Sequence, residues 1–96
     1  MGADSFVVTS HGKTAKEAFR LAVEDALYEY GHGGYTGSIA EKHDFVMIEC
    51  PKDEKPVNYA WDLVNEGDRR IDDKWGQAGC IKVNDNTWVF FGRASS

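Results

Sequence analysis

The densest run of backbone donors in this chain is Gly31-His32-Gly33-Gly34-Tyr35-Thr36-Gly37-Ser38. Glycine lets a backbone adopt positive φ and come close to a ligand. Successive N–H groups in such a run can converge on an anion. Thr36 and Ser38 add hydroxyl donors, Tyr35 adds a stacking face, and Lys42 adds positive charge. The candidate contacts are therefore Gly33, Gly34, Tyr35, Thr36, Gly37, Ser38 and Lys42. Arg69 and Arg70, in the mixed charge run Asp68–Lys74, could grip the same anion, with Trp75 beside them as an interface anchor. Arg93 is a further cation of this kind. Ser38-Ile39-Ala40-Glu41 has the Ser-x-x-Glu form of a capping box, and a helix starting there would favour an anion at its N-terminus. The run is not a Walker loop, because Gly-Lys-Ser/Thr is absent. It is not a dinucleotide fingerprint either, because it follows a helical pattern rather than a strand. The same glycines would also serve a plain connector that caps one helix and turns the chain. Tyr35 and Ile39 weigh against that, since a linker has little need of an aromatic and an aliphatic anchor.

Other chemistry finds less support. His11, His32 and His43 adjoin loops, and no two stand at metal-ligand spacing. Cys50 and Cys80 form no Cys-x-x-Cys pair, and both fall in strand-like segments where a buried, inert thiol is usual. Two reduced thiols are expected, with a disulfide the minor alternative. Ser10 and His11 are neighbours in sequence, which points their side chains apart. The sequence predicts no metal, no cofactor and no catalytic residue. A small hydrolase-like enzyme using His and carboxylates stands as the third reading.

The chain has 96 residues, enough for one domain with a single core. Acidic residues number 16 against 11 basic ones, for a formal charge of -5. A general nucleic-acid surface needs a basic patch that this composition does not supply, and an anionic membrane would repel it. No apolar run reaches the roughly 20 residues that cross a bilayer. The start, Met1-Gly2-Ala3-Asp4, lacks the basic and apolar regions of a leader. A cytoplasmic, soluble protein is the expectation, with a small anionic ligand or a protein as partner.

These residues must be held by elements. Ser5–Ser10 is β-branched and aromatic, hence a strand. Thr14 and Glu17 form a capping box, and Ala15, Phe19, Ala22, Val23, Ala26, Leu27 and Tyr30 recur at helical spacing, so a helix spans 15–30. Gly31 ends it. Asp44–Cys50 reads as a second strand closed by Pro51. Pro56 opens a second helix faced by Val57, Ala60, Trp61 and Val64, and Gly67 ends it. Cys80–Val83 and Thr87–Phe91 form a hairpin about Asn84-Asp85-Asn86, whose residues tolerate positive φ. Trp88-Val89-Phe90-Phe91 is apolar on both faces, which marks a central or doubly covered strand. The tail from Arg93 is expected to fray. The order is β-α-β-α-β-β. The expected fold is α+β, a two-layer sandwich with a mainly antiparallel sheet of about four strands and both helices on one face.

The string Gly31–Lys42 (GHGGYTGSIAEK), followed by a strand and later by Asp73–Cys80 (DKWGQAGC), resembles small uncharacterised proteins of bacteriophages and their bacterial hosts. The resemblance implies an accessory protein that binds a host or defence component, and it brings no site residues with it. The leading expectation is a non-catalytic binding module, such as a phage anti-defence protein that sequesters a nucleotide. The second is an acidic, protein-binding inhibitor of a nucleic-acid enzyme. An edge strand and exposed aromatics would permit a homo-oligomer.

Overall fold

The computed structural model describes residues 3–30 and 37–95. Strand β1 (Ala3–His11) leads into helix α1 (Ala15–Tyr30). The helix starts where the capping box predicts. The Glu17 N–H donates to Thr14 Oγ1 at 3.1 Å, and the Glu17 carboxylate reaches back to the Lys13 N–H at 3.3 Å. The first bond satisfies an orphan donor of the first turn, and the second ties the helix to the residue before its N-cap. A 3-10 turn (Ile39–Glu41) precedes the short strand β2 (Phe45–Met47). Helix α2 (Pro56–Glu66) has proline in its first turn and ends at Gly67, whose φ of 71° is the left-handed value that glycine adopts without strain. Strands β3 (Ala78–Asn84) and β4 (Thr87–Ser95) complete the chain.

The sheet has four strands in the order β1-β4-β3-β2. β4 runs antiparallel to both β1 and β3, while β2 and β3 are parallel. The expected α+β class and element order are both found.

The layering differs from the expectation, because the helices lie on opposite faces. Ala18, Ala22 and Ala26 of α1 pack with Phe6, Cys80, Trp88, Phe90 and Ala94. Ala60, Leu63 and Val64 of α2 pack with Ile81, Val89, Phe91 and the loop residue Ile71. Successive residues of β4 thus feed two separate cores, which is why Trp88–Phe91 is apolar throughout. Connectivity gives the reason. β1, β2 and β3 all point the same way. The α1 connection crosses the sheet from one edge to the other, and the α2 connection steps back. Crossovers of one hand that move in opposite directions must use opposite faces.

Three local expectations also change. β2 is only three residues long, so Cys50 lies in the loop beyond it rather than on a strand. The 84–86 turn forms with no positive φ at any described non-glycine residue; the Asn86 N–H donates to Asn84 Oδ1 at 2.9 Å, and a register shift falls between Lys82 and Asn84. Arg93 and Ala94 belong to β4, where Ala94 pairs with Asp4 and is fully buried, so the chain does not fray at Arg93.

Both cysteines are free. Cys80 faces the α1 core and Cys50 packs against the α2 core, so the sheet stands between them and no bridge can form. Burial pushes the Cys80 thiol up to about 12. The Cys50 thiol is also raised, by burial first and then by the carboxylates of Glu54 and Asp53. With an aromatic disulfide reagent at mildly alkaline pH, Cys50 is expected to react slowly and Cys80 only after denaturation. Fast release of both thiols from native protein would contradict this packing.

Candidate functional site

Gly31, His32, Gly33, Gly34, Tyr35 and Thr36 lie outside the described residues. Gly37 has φ 69°, and a Cβ there would stand 2.6 Å from Asp4 Oδ2. Glycine at this position therefore lets the chain turn tightly against the start of β1. The Ser38 hydroxyl accepts from the Ala40 N–H at 3.2 Å. It caps a single 3-10 turn rather than a full helix.

Lys42 is only 2% exposed. Its Nζ donates to the carbonyl oxygens of Asp73 at 3.2 Å, Lys74 at 3.3 Å and Gly76 at 2.9 Å. Burial pushes its ammonium below the ordinary lysine range, and the Asp73 charge offsets part of that. Arg70 makes a bidentate pair with Asp68, Nε to Oδ1 and Nη2 to Oδ2, both at 2.9 Å. Arg93 Nη1 lies 3.9 Å from Asp72 Oδ1. Arg69 is exposed on the same turn. The fold thus gathers Lys42, Arg69, Arg70 and Arg93 about one loop, residues 67–77. Three of these four cations face internal carboxylate or carbonyl oxygens. Ile71, 1% exposed, pins the loop to the α2 core. Trp75 stands 58% exposed at its tip, with Lys74 Nζ 5.5 Å from the ring centroid.

The Arg70 hydrogen bonds hold the Asp68 carboxyl down at about 2, from an ordinary value of 3.8. A carboxylate depressed on folding adds stability above its unfolded pKa and loses it as pH falls through the folded one. This contribution is therefore present above the unfolded value of 3.8 and is lost as pH falls from there through about 2. Asp68→Asn is expected to flatten the acid limb of the stability curve in that window. An unchanged limb in acid titrations followed by circular dichroism would contradict the pairing.

No described cluster of three or more His, Cys, Asp or Glu could hold a metal. His11 Nδ1 lies 3.3 Å from Thr87 Oγ1, while Ser10 points the other way and donates to the Ala18 carbonyl at 2.9 Å. His43 lines an open groove of about 650 Å³ with Lys16, Phe19 and Arg20 of α1.

A second groove, of about 480 Å³, runs beside β1. Strand β1 is nine residues long and is a sheet edge. The Gly12 N–H donates inward to the Asn86 carbonyl at 3.0 Å, and the register with β4 is unbroken. Even-numbered residues of β1 therefore turn their backbone groups to β4. Those of Ser5, Val7 and Thr9 point outward. Asp25 and Glu29 of α1 form one wall, and Trp61 of α2, 40% exposed, lies on the other side. Among the described lining residues the charged side chains, Asp25 and Glu29, are both acidic. Sequence reading passed over this edge because no glycine run or cation marks it. The one available signal is the alternation of exposed Ser5 and Thr9 with inward Phe6 and Val8.

No described helix is long and apolar enough to cross a membrane. In comparisons with known proteins, the chain matches no family model, no curated protein and no solved structure.

Proposed function

We propose that this chain is a non-catalytic module that binds a protein partner with a basic surface. The observation that carries the reading is an exposed indole, Trp61, set among acidic side chains of α1 and α2. Trp61 and Trp75 are 40% and 58% exposed. Helix α2 carries Asp62 and Glu66 and no basic side chain, and the outer half of α1 presents Glu24, Asp25 and Glu29. Exposed Trp is a typical anchor of protein interfaces, and like charges around it select partners of opposite sign. A small anion fits less well. The charges of Lys42, Arg70 and Arg93 already meet oxygens of the chain itself. The resemblance to phage and host proteins agrees with an inhibitor in the cytoplasm acting on a host component. A nucleic-acid enzyme, with its basic cleft, has the right charge.

The test is capture from host lysate by wild type and two variants. Trp61→Ala and the charge reversal Asp62→Lys/Glu66→Lys are each expected to reduce recovery of one identified protein about tenfold or more. Recovery by wild type is expected to fall with rising salt. Equal recovery by all three proteins overturns the reading, as does saturable nucleotide binding in calorimetry.

A further inference from the structure

We propose that the free edge of β1 takes up an extended, basic segment of the partner as a fifth strand of the sheet. This rests on the protein-binding reading and names the kind of segment bound. The outward N–H and C=O groups of Ser5, Val7 and Thr9 form a ladder at the sheet edge that no strand among the described residues pairs with. Such ladders are the template for strand addition, in which backbone pairing supplies affinity and side-chain contacts supply specificity. The groove beside this ladder gives an added strand room along Ser5–Ser10. Edge strands are commonly protected by lysine or proline, and β1 has neither.

Charge chooses the occupant. Asp25 and Glu29 line the groove, and among its described lining residues there is no Lys, Arg or His. Asp4 adds a third exposed carboxylate on the strand itself. A second copy of this chain pairing edge to edge would bring two such acidic sets together, which disfavours a β1–β1 dimer. An extended segment with Lys or Arg at alternate positions would instead set its charges against Asp25 and Glu29. Its apolar positions on the opposite face would meet Trp61.

The experiment uses the full chain and a nine-residue probe peptide in which Lys alternates with Val and Thr, matched to the length of β1. A second peptide of the same sequence carries N-methyl groups on alternate residues. It keeps every charge and loses one edge of backbone donors. The unmethylated peptide is expected to slow amide exchange at Ser5, Val7 and Thr9, and to bind about tenfold or more tightly than its methylated form. Thr9→Pro removes an outward donor and leaves the β1–β4 ladder intact, so it is expected to weaken binding with native melting retained. Asp25→Lys/Glu29→Lys is expected to weaken binding most at low salt. Equal binding of the two peptides overturns strand addition. So does exchange protection confined to another surface, or a concentration-dependent dimer that protects the same amides. Each of these leaves the protein-binding reading standing if Trp61→Ala still loses the captured partner. No peptide binding together with unimpaired capture by Trp61→Ala overturns both.

Discussion

Phe90→Ala is expected to cost about 3–5 kcal/mol of folding stability. Phe90 has no exposed surface and sits on the α1 side of the central strand. Its ring meets Phe19 with centroids 5.4 Å apart and Phe45 at 5.6 Å, and those two rings lie 5.1 Å apart. Removing it therefore takes away the member that joins α1, β2 and β4. The loss combines transfer of a large apolar group with a cavity that two flanking rings cannot fill without leaving their own contacts. Small domains hold only about 5–15 kcal/mol in total, and a chain of this length belongs toward the low end. The melting temperature is expected to fall by on the order of 20 °C. Phe90→Leu should lose distinctly less. Denaturant titration followed by circular dichroism measures both, and a loss under about 1 kcal/mol for the alanine variant would mean the ring is not central.

Lys42→Met is expected to cost about 2–3 kcal/mol, because three carbonyls lose a charged donor while the apolar stem stays in place. The carbonyls of Asp73, Lys74 and Gly76 belong to partly exposed residues, so water recovers some of the loss. The pH dependence has a definite sign. Burial lowers the Lys42 pKa from 10.5 in the folded state, so the unfolded chain binds more protons in the window between the two values. Stability attributable to Lys42 therefore rises as pH climbs through that window, and the gap between wild type and variant widens. A ligand contact would behave differently. Were Lys42 an anion contact, the variant would lose binding and keep its stability. Paired melting curves across alkaline pH distinguish the two.

How far the sequence could be read depends on the kind of signal. Thr14 and Glu17 located the start of α1 because a capping box is local, and the chain satisfies it within three residues. Pro56 and Gly67 bracketed α2 for the same reason. The layering was written in Trp88–Phe91, whose apolar faces alternate between two cores. The expectation of both helices on one face fails because the direction of the crossovers becomes visible only once the order β1-β4-β3-β2 is known. Lys42, Arg70 and Arg93 read as anion contacts because a sequence shows charge without showing which oxygens the fold brings to it. Asp68 is two residues from Arg70, so that pair was open to inspection. The three carbonyls that meet Lys42 lie more than thirty residues away and were not. The edge position of β1 is likewise a property of the whole sheet.

The central claim is that this chain meets a protein rather than a small anion. Native mass spectrometry of the chain isolated from host cells under gentle conditions tests it most directly. The predicted spectrum holds the chain at its own mass, together with a salt-sensitive complex carrying one protein partner. A stoichiometric, nucleotide-sized addition retained on the isolated chain would contradict the claim.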